Sequence, residues 1–396
     1  MDETRRQALI TGIGIVSCLG EGPEAHWQRF CEASPAADTV TFAPYVVHRL
    51  AAIPFDKQIP KKSDQRTMEL WQRTGTYAAG LALDSARVKG HPEFLARMDM
   101  IVAAGGGERD LAADSAILTG LRKVAAQEPF LNERLMSDLR PTLFLAQLSN
   151  LLAGNISIVH GVTGSSRTFM GEEGAGVDAV RIGFARIQSG QSEIALVGGA
   201  QNSERKEMLL LYEFARYNLT GEFRPVWGRG EHPGFALGSM GAFLVLESSD
   251  HARTRGARPV AKLSAVANAR SNRKPGDVTA TLGALWDKVA PAGVGAGAVI
   301  SGATGVEPAT AEERAFLVSH PELAVRATGT HVGHGVEPQF AMNVALAAIA
   351  VQHGRLFATH DATGFERAAE GALTRALVTS VGHWRGEGLA LVERID

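Results

Sequence analysis

The sequence predicts an α/β protein whose strands are buried on both faces. Three observations predict this: short apolar runs punctuated by glycine recur, helical apolar spacing fills the gaps between them, and no linker cuts the chain.

The runs fall at 8–15, 100–104, 193–197, 241–246, 260–266, 298–301, 376–381 and 388–392. A strand with one wet face would alternate apolar and polar residues, and these do not. Between them, Val177, Val180, Phe184 and Ile187 recur at intervals of three and four, which sets them on one helix face, and 341–352 is an alanine-rich helical stretch. The first series closes with a strand near Glu247 and a similar series restarts at Val260, so an internal duplication is expected, with halves 1–250 and 251–396. Forty-four glycines fit tight strand-to-helix turns and closely packed helices.

Composition narrows the function classes. At 396 residues and 45% hydrophobic content, the chain can bury a large core, as a soluble globular protein does. The formal charge is -2 with both signs interspersed, which gives no nucleic-acid or polybasic membrane surface. Even the most apolar stretch, 143–162, is broken by Gln147, Ser149, Asn150 and Asn155, so no membrane insertion is expected. Cys18 and Cys31 are isolated, and no charged-then-apolar leader precedes them. A reducing bacterial cytoplasm is the expected setting.

Other motifs carry little chemistry. Gly105-Gly106-Gly107 lacks the Lys-Ser/Thr of a phosphate loop and reads as a structural turn. Gly164-Ser165-Ser166 lacks the glycine spacing of a serine nucleophile elbow. His331 and His334 lack a third ligand at metal spacing, so neither metal nor cofactor is expected.

Ordered motifs carry a resemblance. Residues 8–20 read Ala-Leu-Ile-Thr-Gly-Ile-Gly-Ile-Val-Ser-Cys-Leu-Gly, 150–164 precede a helix, 194–201 end in Val-Gly-Gly-Ala-Gln, and 235–247 read Gly-rich and close on Leu-Val-Leu-Glu. In that order they resemble the β-ketoacyl-acyl-carrier-protein synthases of the thiolase superfamily. The resemblance spans the chain and implies a five-layered α-β-α-β-α thiolase fold of two related halves, the first with dimerisation insertions, assembled as a dimer.

The same resemblance implies a cysteine nucleophile at the start of a buried helix, where the helix dipole favours the thiolate. Ungapped counting from both sides puts Glu173 there instead. A carboxylate attacking a thioester would give a labile anhydride and forfeit thioester exchange. Glu172 and Glu173 then read as a structural cap of the first turn or as a mimic of a bound acyl group. Of the family's two histidines, the first is matched by Gly302, with Glu313 in register, and the second by His334. Gly329 falls where a lysine is usual, with Arg326 nearby as a substitute cation, and His331 competes with His334. The gating phenylalanine is matched by His383 within Gly382-His-Trp-Arg-Gly-Glu387. Each oxyanion donor lost from such a site typically costs about 2–4 kcal/mol of barrier, so condensation is expected to be absent.

Cysteine-lacking homologues of this type are chain length factors, partners of active ketosynthases in polyketide and aryl-polyene systems. They often carry glutamine at the cysteine position, from which Glu173 departs. The resemblance implies a heterodimer with a cysteine-bearing ketosynthase subunit, an acyl carrier protein as a further partner, and a steric role in the partner's acyl channel. Glu108, Leu111, Ala112, Leu143 and Phe144 are the expected channel or dimer-interface residues. Two rivals stand: Glu173 with His334 as an acid/base pair for decarboxylation, hydrolysis or acyl transfer on carrier-protein thioesters, and a homodimeric acyl-carrier-protein binding protein.

Overall fold

The computed structural model describes residues 6–32, 34–139, 143, 147–295 and 297–395. Ten strands follow one path through the main sheet: β1 (Ala8–Ser17), β2 (Asp99–Ala103), β3 (Ser166–Phe169), β4 (Ile194–Gln201), β5 (Met240–Ser248), β6 (Ala261–Ala269), β7 (Ala298–Ser301), β8 (Ala324–Ala327), β9 (Arg375–Val381) and β10 (Glu387–Glu393). An eleventh, the two-residue strand Gly20–Glu21, pairs with β1. All eight expected strands are present with slightly different ends. On the ten-strand path the two missed, β3 and β8, are four-residue strands at the two edges of the sheet. Edge strands need no continuous apolar run, and Ser-Arg-Thr-Phe does not supply one.

The spatial order is β8-β7-β9-β10-β6-β1-β5-β4-β2-β3. From its own edge, each set of five shows the same pattern: three parallel strands, then two antiparallel ones. The sets meet only where Ala8, Leu9 and Ile10 pair with Leu263, Lys262 and Ala261.

Five layers result. Helix α1 (Leu70–Ser85) packs outside the first set of strands, while α2 (Glu172–Gln188) and α3 (Gln339–His353) pack on each other and on strands of both sets. Helices over Asp277–Val289 and Ala309–Val318 cover the second set. Three separate apolar clusters lie between these layers. The expected face of α2, Val177, Val180, Phe184 and Ile187, is buried in the middle cluster, and α3 is buried from Gln339 to Val351. Fully burying one such large apolar side chain is worth about 1.5–3 kcal/mol, so an all-buried helix is a strong organiser. The Gly-Ile-Gly of β1 has a steric cause: a Cβ on Gly14 would lie 1.9 Å from the Ala78 carbonyl oxygen, and one on Gly12 2.3 Å from that of Ala82. Glycine lets α1 lie directly on the strand.

Among the described residues, no helix is long and apolar enough to cross a membrane.

Candidate active site

Two polar residues inside α3 position the site loop. Gln339 accepts from the Gly335 N–H at 2.8 Å and donates to Thr328 and Asn343 at 3.2 and 3.1 Å, while Thr328 donates to Asn343 at 2.7 Å. This closed network holds 328–338 over the N-terminus of α3. Within it, the His334 N–H donates to the Ala236 carbonyl at 2.8 Å and the Gly238 N–H donates to that of His334 at 2.9 Å.

The second histidine lies on the turn between β9 and β10. The Gly382 N–H donates to the Gly386 carbonyl at 2.8 Å, and Arg273 clamps the turn by donating to Gly382 and Trp384 carbonyls at 2.9 and 3.1 Å while pairing with Glu387 at 3.2 Å.

Between these two loops sits Glu173, in the first turn of α2 behind Gly171 and Glu172. Glu172 has φ +63°, a left-handed conformation that costs a side-chain-bearing residue energy and tends to occur at functional turns. One oxygen of Glu173, Oε1, receives His334 Nε2 at 2.7 Å, His383 Nδ1 at 2.8 Å and the His383 backbone N–H at 3.2 Å. All three side chains are buried. Glu173 Oε2 has no hydrogen-bond partner.

Burial alone would raise the Glu173 pKa, but the charge of His383 and the hydrogen bonds from both imidazoles outweigh it and hold the carboxyl well below its ordinary range. Burial would likewise lower His383, yet the Glu173 carboxylate beside it raises that imidazole above its ordinary value. The pair is therefore an ionised carboxylate against an imidazole that favours its proton. Aromatic rings enclose it: Phe235 lies 5.2 Å from His334 and 5.5 Å from His383, with Tyr217 and Tyr212 at 5.0 and 5.4 Å from His383.

A cavity of about 500 Å³ reaches the site from one side, with His383, Tyr217, Arg270, Arg273 and Arg385 in its wall. Glu337 is also buried, and desolvation, reinforced by the charges of Glu173 and Glu172, raises its pKa to about 7. Glu337, Arg273 and the aromatic wall escaped the sequence reading. Phe235 opens the 235–247 motif already noted, and Glu337 follows His334 by three residues; nothing in the sequence points to Arg273.

The remaining expected positions fall as follows. Gly302 directly follows β7 with no room for a side chain: a Cβ would lie 2.6 Å from the Thr379 carbonyl oxygen. Gly329 is buried at the start of the short helix Gly329–Val332. Arg326 is not a substitute cation for the site, because its guanidinium donates to the Val325, Phe357, Ala358 and Arg367 carbonyls. His331 packs 4.5 Å from Phe30, and burial, then His360 and His48, push it down to about 3. Between the two candidate histidines, only His334 meets Glu173.

Cys18 donates to the His331 carbonyl at 3.2 Å and lies 3.8 Å from His48 Nδ1. Desolvation pushes its thiol up to about 12 and holds His48 down to about 3, so proton transfer between them is strongly uphill. Cys31 lines a different cavity beside Arg355. Glu108 accepts from Asn202 at 2.8 Å, Leu111 and Ala112 are exposed, Leu143 is buried, and Phe144 lies outside the described residues. Among the described residues, one set of ligand-type groups converges, Glu173, His334 and His383, whose atoms lie within 4.8 Å of one another. The expectation of no metal rested on spacing along the chain, which cannot reveal a set assembled from three distant segments.

A family model described as the β-ketoacyl synthase N-terminal domain matches residues 6–252. The chain belongs to the β-ketoacyl synthase family. It is 26% identical over 273 residues to a 3-oxoacyl-acyl-carrier-protein synthase 2 of Vibrio harveyi, covering 66% of this chain and 62% of that relative, which is less than two thirds of its length. A longer match, 26% over 368 residues, links this synthase-family chain to the tetracenomycin polyketide synthase ketoacyl synthase beta subunit of Streptomyces glaucescens, covering 87% and 85% of the two. Its architecture is similar to that of the ishigamide ketosynthase/chain length factor, with a TM-score of 0.81 at 19% identity over 99% of this chain and 100% of the other. That likeness carries the thiolase-like fold.

Proposed function

We propose that this synthase-family chain is a non-condensing partner of the chain length factor type, which shapes the acyl channel of an active ketosynthase during carrier-protein-dependent elongation of polyketide, aryl-polyene or fatty-acid-type chains. One observation carries the reading: the donors that would stabilise a reacting acyl group, His334, His383 and the His383 N–H, are already engaged by the protein's own Glu173. Glu173 then stands at the nucleophile position as an internal acyl mimic, and both sulfurs lie outside this group. The names of the longer-matching relative and of the structural neighbour favour the same reading.

The proposed partners are a homologous cysteine-bearing ketosynthase subunit and an acyl carrier protein. Edge strand β3 leaves one side unpaired beside exposed Met170 and Ile158, which suits continuation of the sheet into a second subunit. Division of the chain at 250 belongs to the same proposal, and the repeated strand order supports it.

The test is co-expression with a cysteine-bearing homologue, malonyl-loaded carrier protein, and product analysis after Leu111→Trp, whose exposed position tolerates bulk, and Leu143→Trp. Product chains of altered length are expected. Unchanged length with unchanged assembly, or condensation by this chain alone, overturns the proposal.

A second reading is favoured by the 2.7 Å contact of Glu173 with His334, which suits an acid/base pair acting on carrier-protein thioesters. It requires turnover by the isolated chain that Glu173→Ala abolishes.

A further inference from the structure

We propose that Glu173, His334 and His383 form a binding site for a borderline divalent transition ion of the Zn²⁺ class. The inference goes beyond the channel reading and draws on the same three side chains. Two imidazole nitrogens and one carboxylate oxygen converge within 4.8 Å of one another, all three groups buried. This donor set, two neutral nitrogens and one anionic oxygen, is the kind that holds such an ion with a position left for water or another ligand. Nitrogen donors favour it over Mg²⁺ or Ca²⁺, which take oxygen.

Two of the three separations require little change. The Oε1–nitrogen separations are now 2.7 and 2.8 Å, those of hydrogen bonds. Ligands bonded to an ion at about 2.0–2.1 Å stand about 2.9 Å apart at octahedral and about 3.3 Å at tetrahedral angles. Opening these two separations by a few tenths of an ångström, with loss of the protons between the rings and Oε1, brings them to ligand spacing.

Two further observations point to a ligand. Glu173 Oε2 is buried without a hydrogen-bond partner, on a side chain that is 2% exposed. Orphaned buried oxygens are costly unless a cation or proton compensates them. The cavity of about 500 Å³ with His383 in its wall supplies an entry path. The loops bearing the imidazoles are pinned by Gln339 and Arg273, so the rings are held in place before any ion arrives.

The experiment uses the full chain, co-purified with its partner subunit if assembly requires one, stripped with chelator. Zn²⁺ is titrated by calorimetry, and Co²⁺ by visible absorption, which reports the ligand field directly. One ion per chain is expected, with Co²⁺ bands. Glu173→Gln and His383→Phe should each weaken binding by at least roughly 100-fold, the upper end of what losing even an outer-shell partner costs. His91→Ala, which removes an exposed imidazole, should leave binding unchanged. Absence of stoichiometric Zn²⁺ binding, or equal affinity in His383→Phe, overturns the proposal. If Glu173→Gln fails to fold, His383→Phe, with its family-type side chain, decides alone. No readout involves product length, so failure here and failure of the channel reading are separable.

Discussion

Replacing Glu173 with glutamine keeps the shape of the side chain and its Oε1 but removes one buried negative charge. Three donors converge on that oxygen at 2.7, 2.8 and 3.2 Å. Hydrogen bonds to an ionised acceptor are worth roughly 1 kcal/mol more than neutral ones, so Glu173→Gln should destabilise the fold by about 3 kcal/mol while both partners are charged. The sign of the pH dependence follows from the two shifts. Glu173 is held below its ordinary 4.5, so its contribution is present above pH 4.5 and lost as pH falls through the lowered value. His383 is raised above 6.5, so its contribution is present below pH 6.5 and lost as pH rises through the raised value. The full effect therefore lies between pH 4.5 and 6.5. Denaturant unfolding of both proteins at about pH 5.5 and about pH 9 should show a smaller difference at the higher pH, where the imidazolium charge opposite Glu173 is lost. A difference that does not vary with pH, or a stabilised variant, refutes the assignment of a charged pair.

Two further predictions follow from the same region. Gly302→Ala should cost about 1–3 kcal/mol, and Gly302→His should be worse, because a Cβ there meets the Thr379 carbonyl; a stable, soluble Gly302→His protein contradicts this. Glu337 ionises at 4.5 when unfolded and about 7 when folded, so its ionisation weakens the fold as pH rises past 4.5, and Glu337→Gln should be more stable than the parent at pH 8 by up to roughly 3 kcal/mol, at 1.36 per unit. Unfolding curves that coincide from pH 4 to 8 would remove Glu337 from the buried-acid class.

Most of the fold was legible because its signals are local. Central strands must be apolar on both sides to lie between helix layers, and their runs showed it; the middle helices carried their buried faces openly in Val177, Val180, Phe184 and Ile187. The edge strands β3 and β8 did not, since half of their bonding is absent and polar residues are allowed there. Glu173, His334 and His383 were each identified by resemblance to ordered motifs.

Their meeting was not legible. Glu173 and His334 are separated by 161 positions and Glu173 and His383 by 210, and no periodicity links a helix terminus to a loop and a turn so far away. The order of residues settles which groups are available: two cysteines at 18 and 31, glutamate at 173, histidine at 334 and 383, and glycine at 302. Packing sets the rest: Cys18 sits as a desolvated, protonated thiol, Arg326 serves backbone carbonyls, and two imidazoles close on one carboxylate oxygen. The physical reason is that charge state and ligand geometry depend on distances of about 3 Å and on exclusion of water, both set by how layers pack rather than by the order of residues along the chain.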